Sequence, residues 1–185
     1  GLYSLVDAAQ LLKAPPRKLR RWMDGYDYKD DDSLHHVAPL WVPDIPKIDD
    51  QIKLSFRDLI ELRFVRAFLE KGIDLRAVRN CIDYARQCMH TDRPFSSGRF
   101  RTDGRTIFLE SLEAASEPKL LDLKEKQYVF KQVVEQSFKD LDLAGDIVTR
   151  WRPYRGKDSI VVDPTRSFGQ PVASASGVPT IVLAE

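Results

Sequence analysis

The sequence predicts a mainly α-helical α+β fold with small β elements. Apolar residues recur at steps of three and four in several segments, which is the period of a helix with one buried face. Two of these segments begin with a Ser-x-x-Asp pattern, which is typical of a helix N-terminus. Short β-like runs separated by glycine and proline follow Gly145. With 185 residues, the chain can bury a core as one domain or as two small ones.

The composition limits the classes of function. A hydrophobic content of 43% and a charged content of 31% are typical of a globular protein. Because the formal net charge is only +1, any binding to a polyanion must come from a local patch. No apolar run is long enough to span a bilayer, so we expect no membrane partner. Two cysteines and the lack of a secretory pattern predict a reducing, cytoplasmic setting.

The first two predicted helices are short and meet at a pair of prolines. Ser4 and Asp7 form a capping box, and apolar residues follow it at helical spacing: Leu5, Ala8, Ala9 and Leu12. The segment Ala14-Pro15-Pro16 ends this helix and can begin the next, because proline suits the first helical position. We expect the second helix to run from about residue 16 to residue 24 and to end at Gly25.

The second helix carries basic and apolar residues on opposite sides. At about 100° per residue, the basic side chains that share one arc are Arg17, Arg20 and Arg21, with Lys18 on its flank. The side chains of the opposite arc are Leu19, Trp22 and Met23. This arrangement is that of a helix-turn-helix, which has two short helices, a tight turn and a basic outer face on the second helix. Arginine suits this face because its planar fork can grip phosphate or the edge of guanine with two hydrogen bonds.

An ordinary solvated helix surface is the alternative interpretation of these basic residues. The acidic residues 27–32 favour that alternative unless their loop points away from the phosphates. We expect residues 27–55 to form an irregular connection followed by a small β-ribbon, built from the apolar runs at 40–42 and 52–54.

Two longer helices are predicted next. Ser55 and Asp58 form a second capping box, which opens a helix with a wide apolar face that ends at Gly72. The following helix shows apolar residues at alternating steps of three and four: Leu75, Val78, Ile82, Ala85 and Met89.

The middle of the chain predicts a hairpin and one more helix. Asp103-Gly104 is a strong hairpin signal, and this register places Phe100 opposite Ile107. A last helix is expected over roughly 125–141, with an apolar stripe that we interpret as core: Phe130, Val133, Val134, Phe138 and Leu141. In a dimer the same stripe would be the natural interface.

Short β-like runs at 160–162 and 180–183 complete the predicted organisation. We expect a domain boundary near 145–155. The predicted domains are a DNA-binding domain over 1–90, a β-hairpin and helix segment over 91–150, and the start of a small, truncated C-terminal module over 151–185.

The N-terminal half resembles MerR-type winged-helix regulators. Residues 3–12 and 16–22 are similar to the family's opening pattern, Y-S/T-x-x-E/D-A/V-A-x-L-L followed by L-R-x-W/Y. Residues 56–65, with Gly72 and the start of the next helix, are similar to the helices that follow the wing, so the resemblance covers residues 3 to about 89. It implies a winged helix-turn-helix that binds double-stranded operator DNA.

The resemblance also implies roles for individual residues. Arg17, Lys18 and Arg21 would meet phosphates and base edges in the major groove, while Arg20 would touch the DNA backbone. MerR wings end in an R-x-Y element that clasps phosphate, and this chain has Ile52-Lys53-Leu54 there, so only Lys53 could substitute. MerR proteins dimerise through a long helix, but the apolar pattern of that helix ends near residue 90 in this chain. The expected homodimer must therefore use another surface.

The C-terminal segment resembles a small domain of unknown function, numbered 433. Its runs 160–164, 169–171 and 177–180 are similar to that family, although Ala175-Ser176-Gly177-Val178-Pro179 replaces the usual G-T-R-I/V-P and the helical half is missing. Some VapB-type antitoxins combine a MerR-like N-terminal half with a domain of family 433. The two resemblances imply a DNA-binding antitoxin that represses its own operon and holds a PIN-like ribonuclease toxin.

Other residue groups predict no catalytic, metal or cofactor site. Cys81 and Cys88 lie two helical turns apart, about 10 Å, which is too far for a disulfide or a shared metal, so we expect core-edge residues. His35, His36 and His90 have no ligand or nucleophile at suitable spacing. Three aromatic residues beside arginines could stack on bases, although inward packing is favoured: Trp41, Trp151 and Tyr154.

Two alternative functions stay open. A ligand- or metal-responsive MerR-type regulator would bind its effector near Cys81 and Cys88. A pure interaction module would use the basic helix to dock an acidic protein surface.

Overall fold

The fold is mixed α+β, as the sequence predicts. The computed structural model of the chain describes residues 1–115, 120–154 and 159–180, with side chains from residue 126 onward in the second range. The helices in these residues are α1 (Leu5–Leu12), α2 (Pro16–Asp24), α3 (Phe56–Glu70), α4 (Leu75–Met89), α5 (Gly98–Ala114) and α6 (Leu120–Phe138). The strands are β1 (Leu2–Ser4), β2 (Tyr26–Lys29), β3 (Leu34–Val37), β4 (Lys53–Ser55), β5 (Leu141–Ala144), β6 (Ile147–Trp151), β7 (Ile160–Val162) and β8 (Pro171–Ala173).

The strands form three small antiparallel sheets within the described residues. β1 pairs with β4, with Tyr3 opposite Leu54, and each strand ends at the serine that caps the helix after it. β2 and β3 form a two-stranded ribbon, with Tyr26 opposite Val37. β5 to β8 follow one another as a four-stranded meander.

The predicted ends of the N-terminal helices are confirmed. Both capping boxes form, because the hydroxyl of each serine accepts the aspartate amide and each aspartate accepts the serine amide. α2 begins at Pro16 and ends before Gly25, whose φ is 72°. A Cβ atom at Gly25 would lie 2.5 Å from the carbonyl oxygen of Val37, so glycine is required where the ribbon leaves the helix.

The predicted hairpin at Asp103-Gly104 is wrong, because these residues lie inside α5. The buried positions of this helix recur at helical spacing: Phe100, Gly104, Ile107, Phe108, Ser111 and Leu112. Packing of this face against α4 and α6 overrides the local turn preference. Gly104 provides space rather than a turn, since a Cβ there would lie 3.1 Å from the ring of Phe100.

The predicted β-ribbon is also displaced. It forms earlier, from β2 and β3, while residues 40–42 are not in a strand. Lys53 and Leu54 lie in β4, whose partner is β1 rather than a neighbouring strand. Local apolar runs could not reveal this pairing, because the two strands are about 50 residues apart.

One continuous cluster of buried apolar residues runs from Tyr3 to Val162. Its centre is aromatic, with the ring of Phe130 stacked 4.6 Å from Phe68 and 4.1 Å from Phe108. Four residues of the predicted core stripe are buried on α6: Phe130, Val133, Val134 and Phe138. The fifth, Leu141, is also buried but lies in β5, because the helix ends at Phe138 rather than at residue 141.

The C-terminal residues contact the start of the chain. The hydroxyl of Tyr3 donates a hydrogen bond of 2.8 Å to the carbonyl oxygen of Gly169. β7 confirms the predicted strand at 160–162, whereas residues 181–183 of the other predicted run lie outside the described residues. The division into three domains stays a prediction.

Candidate nucleic-acid interface

The two sides of α2 have opposite surroundings. Leu19, Trp22 and Met23 are buried against the core, as their spacing predicts. The four basic side chains of this helix are all exposed: Arg17, Lys18, Arg20 and Arg21. α1 packs against α2, and only Lys13, Ala14 and Pro15 separate the two helices.

Three of the basic side chains line one surface cleft. Arg17, Lys18 and Arg21 surround a space of about 470 Å³ together with Trp22 and Tyr26. The guanidinium carbon of Arg21 lies 3.7 Å from the ring centroid of Tyr26, and the amine of Lys18 lies 5.2 Å from the ring of Trp22. These cation–π contacts hold the two cationic groups at the surface of the cleft.

Arg20 is not part of this cleft and has a different basic neighbour. The positive charge of Arg20 acts on Lys47, whose amine lies 2.9 Å from Oδ1 of Asp24. The hydrogen bond that Lys47 donates to Asp24 raises the pKa of Lys47, and the charge of Arg20 opposes that shift. Lys47 therefore adds a cation beside α2 that the sequence did not single out, because it lies 23 residues beyond Asp24 in an irregular segment.

Lys53 lies apart from the cleft, on β4. Its amine donates a hydrogen bond of 3.2 Å to Oε1 of Gln51, and its side chain is half-buried. The structure brings Arg17, Lys18 and Arg21 together and leaves Arg20 and Lys53 outside that group.

The ribbon of β2 and β3 carries Asp30, Asp31 and Asp32 at its far end, while Asp27 directly follows Tyr26. Its turn is closed by Asp30, whose carboxylate accepts the backbone amides of Ser33 and Asp32. The hydrogen bond from the Ser33 amide is the main reason why the pKa of Asp30 is lowered. Three residue steps of about 3.3 Å each lead from Tyr26 to Lys29 at the tip, so the acidic turn lies roughly 10 Å along the ribbon from Tyr26.

Both histidines of the ribbon contact aspartates. Nε2 of His35 lies 2.5 Å from Oδ2 of Asp30, and Nδ1 of His36 lies 2.6 Å from Oδ1 of Asp27. The ring of His35 also stacks on Tyr28 at 5.0 Å. These contacts explain the histidine pair as part of the ribbon's own structure.

Arg79 of α4 anchors the end of the ribbon. Its two terminal nitrogens donate hydrogen bonds of 2.9 Å to the carbonyl oxygens of Pro39 and Ala38. The amide of Leu40 donates to the carbonyl oxygen of Trp22 at 2.8 Å, which joins the same segment to the end of α2. The sequence could not reveal these contacts, because backbone carbonyls about 40 residues away leave no pattern in side-chain type.

Trp41 and Trp151, the two tryptophans considered for stacking on bases, are buried instead. Trp41 is 3% exposed and donates its indole N–H to Oδ1 of Asp58 at 2.8 Å. Trp151 is 4% exposed and lies under the guanidinium of Arg63 at 5.4 Å. Inward packing is confirmed for both, whereas Tyr154 stays 45% exposed.

The two cysteines share one side of α4, because seven residues are about two helical turns, but they differ in burial. Cys81 is buried and Cys88 is exposed, and burial raises the pKa of the Cys81 thiol. Among the described residues, no group of three or more His, Cys, Asp or Glu side chains is placed to hold a metal ion. In that same part of the chain, no helix combines the length and the apolar character needed to cross a bilayer.

Comparisons with known proteins point to mycobacterial relatives. No protein-family model matches the chain. A protein of Mycobacterium tuberculosis (strain ATCC 25618 / H37Rv) named "Putative antitoxin VapB45" is 27% identical over 188 residues, covering 96% of this chain and 78% of the relative. The crystal structure of Rv2018 from Mycobacterium tuberculosis matches with a TM-score of 0.77 at 25% identity, covering 98% of this chain and 84% of that one. These matches support the resemblance to VapB-type antitoxins.

Proposed function

We propose that this chain is the DNA-binding antitoxin of a toxin–antitoxin pair, which represses its own operon and holds a PIN-like ribonuclease toxin. The observation that carries the proposal is the similarity over 96% of the chain to a protein named as an antitoxin. The exposed basic side of α2 supports the DNA-binding part, because its opposite side is fully committed to the core. We assign the chain no enzymatic activity and place its action in the cytoplasm.

In this proposal α2 is the recognition helix of a MerR-like winged helix-turn-helix. It enters the major groove, where Arg17, Lys18 and Arg21 contact phosphates and base edges. Arg20 contacts the DNA backbone, and Lys53 takes the place of the phosphate-clasping wing residue. The cation–π contact with Tyr26 supports this role for Arg21, because a guanidinium held in one position loses less entropy on binding.

The ribbon of β2 and β3 is the proposed wing. Its acidic turn lies roughly 10 Å from Tyr26 along the strand direction, so the negative charges can point away from the phosphates that α2 approaches. A two-fold homodimer would present two such units to an inverted repeat, since the symmetry of an operator mirrors that of the protein. The proposed domains are a DNA-binding domain over 1–90, a middle segment over 91–150 and a segment over 151–185 that is similar to domain 433.

The DNA-binding part is tested by fluorescence anisotropy with the protein's own promoter and a scrambled duplex, at several salt concentrations. We expect tight, promoter-selective binding. The logarithm of the association constant should fall with the logarithm of the salt concentration, with a slope of several units, because the phosphates release counterions when the protein binds them. Equal and weak binding to both duplexes would instead favour the interaction module that docks an acidic protein surface.

A single substitution tests the assignment of α2. We expect Arg21→Ala to weaken promoter binding by roughly 1–3 kcal/mol if Arg21 reads a base. Arg105→Ala is the matched control, because Arg105 is an exposed arginine on α5. Circular dichroism checks that both variants stay folded, and unchanged promoter binding by Arg21→Ala would mean that the recognition helix is misassigned.

The toxin part needs a separate measurement. We expect a small nuclease-like reading frame beside this gene. Its product should copurify with the chain and lose its ribonuclease activity when it binds the chain. A promoter-binding protein with no such neighbour would favour the ligand- or metal-responsive regulator.

A further inference from the structure

A second cleft, of about 580 Å³, lies behind the helix-turn-helix. The end of α1, one side of α3, the end of α6 and the segment after β6 surround it. It shares no lining residue with the α2 cleft and contains neither cysteine. Its volume is within the range of about 300–1,000 Å³ that is usual for small-molecule sites.

The cleft has an excess of positive charge. Its lining holds four cationic side chains and two carboxylates, which leaves a net charge of +2. The carboxylates already have arginine partners, since Arg63 lies 3.1 Å from Asp140 and Arg66 lies 2.6 Å from Glu70. The excess charge therefore resides on the two lysines of the lining, Lys13 and Lys71.

Neither lysine has a carboxylate partner among the described residues. The amine of Lys13 lies over the ring of Tyr154 at 5.7 Å. The amine of Lys71 has no hydrogen-bond or ion-pair partner within those residues either. Lys13 also occupies a left-handed backbone position, with φ of 49°, where glycine is usually favoured.

The remaining lining provides apolar and aromatic surface. Leu12, Val133 and Trp151 are buried residues of the core that reach the cleft, and Ala67 also lines it. The exposed ring of Tyr154 lies at the rim. An apolar wall beside a few charged groups is the usual lining of a site for an organic ligand.

We propose that this cleft binds a small organic anion. Its aromatic or aliphatic body would pack against Trp151 and Tyr154, and its negative group would pair with Lys13 and Lys71. This site goes beyond the proposed function, because neither DNA nor a toxin is needed for it. Lys13 is the first residue of the turn between α1 and α2, so a ligand here would contact the helix-turn-helix from behind.

Two probes of the same shape test the proposal on the full chain without DNA. 1-Anilinonaphthalene-8-sulfonate carries one sulfonate on an aromatic body, and N-phenyl-1-naphthylamine is the same body without the charge. We expect calorimetry to show one sulfonate probe bound per chain, at least about tenfold more tightly than the neutral probe, because charge-assisted contacts are the stronger ones. Equal affinity for the two probes would overturn the proposal.

Charge reversal locates the site. Lys71→Glu should weaken binding of the sulfonate probe roughly tenfold or more and leave the affinity for the neutral probe unchanged. Lys131→Glu is the matched control, since Lys131 is an exposed lysine on α6 that does not line the cleft. The proposal would be overturned if Lys71→Glu and Lys131→Glu lost the same affinity for the sulfonate probe. It would also be overturned if neither Lys71→Glu nor Lys13→Gln lost any. Because these variants leave the exposed side of α2 intact, promoter binding reports separately on the proposed function.

Discussion

The two capping boxes have the same chemistry but different surroundings. In each, serine and aspartate exchange two hydrogen bonds of 2.9 to 3.1 Å, which begin α1 at Ser4 and Asp7 and α3 at Ser55 and Asp58. Asp7 is exposed, and within the described residues its carboxylate accepts one further hydrogen bond, from the hydroxyl of Ser4. Asp58 is fully buried.

Asp58 joins α3 to two distant segments, one over residues 41–44 and one at Arg93. Its Oδ1 accepts the indole N–H of Trp41 at 2.8 Å and Nε of Arg93 at 2.9 Å, while its Oδ2 also accepts the amide of Asp44 at 3.1 Å. The same four-residue pattern thus begins α1 at the surface, whereas at the start of α3 it also anchors the core. The comparison teaches that a local pattern determines where a helix starts, whereas partners from elsewhere in the chain determine how much the residue stabilises the fold.

The largest effect is expected from Asp58→Ala. The substitution removes the buried carboxylate beside the guanidinium of Arg93, which is 3% exposed, and it removes the acceptor for Trp41. Breaking a buried ion pair costs about 3–5 kcal/mol, and the low end applies because Arg93 keeps an ion pair of 2.7 Å with Asp44. Urea denaturation should show that loss in the free energy of unfolding. A loss no greater than that of Asp7→Ala would mean that burial adds nothing to the capping box.

The next effect concerns Glu61, one turn further along α3. Its side chain is 1% exposed, and its Oε1 accepts the amide of Ser96 at 2.7 Å. Burial raises the pKa of Glu61 from 4.5 to about 7, against the opposing hydrogen bonds and the charge of Arg93. The folded protein therefore holds this proton more tightly than the unfolded chain does.

The sign of the pH dependence follows directly. The stabilisation from the protonated Glu61 is complete below pH 4.5 and is lost as the pH rises through about 7. The shift corresponds to about 3 kcal/mol across that window. Urea denaturation at several pH values should show this fall in the wild-type protein and a flatter profile in Glu61→Gln. Parallel profiles for the two proteins would contradict the assignment.

A smaller effect is expected from Trp41→Phe. The phenyl ring keeps most of the apolar contact but has no N–H for Oδ1 of Asp58. Loss of one hydrogen bond to a charged group costs about 1.5–3 kcal/mol, and the low end applies because Arg93 still occupies the same oxygen. Thermal unfolding measures the difference. In the Asp58→Ala background the same substitution should cost less, since the acceptor is already gone.

The smallest effect is expected from Asp7→Ala. It removes one side of an exposed capping box, which typically contributes about 1 kcal/mol. The same urea denaturation as for Asp58→Ala gives the direct comparison between the two boxes. A loss as large as that of Asp58→Ala would mean that α1 depends on its cap as strongly as the core depends on Asp58.

Much of the helical framework could be predicted from local signals. The ends of α1 to α4 followed from capping residues, glycines and apolar spacing, because each of these acts within about one helical turn. The division of α2 into a basic and an apolar side followed in the same way. The hairpin at Asp103-Gly104 failed because its turn preference was weaker than the burial of Phe100, Ile107 and Phe108 on one side of α5.

The candidate site was predicted in its residue types and not in its arrangement. Arg17, Lys18 and Arg21 were identified from spacing alone, whereas the stacking of Tyr26 on Arg21 required the ribbon to fold back beside α2. The placement of Lys47 beside Arg20 depends on the irregular segment that precedes β4. These contacts join residues whose separation in sequence carries no periodic signal.

The sequence by itself determined the α+β class, the caps and the exposed basic side of α2. Those features arise from hydrogen bonds and side-chain spacing within a single element. Only the tertiary structure decided which capping box became part of the core, which glycine serves packing rather than a turn, and how α1, α3 and α6 enclose a positively charged cleft. The physical reason is that burial and charge pairing depend on distances between segments far apart in the chain, which local sequence patterns do not contain.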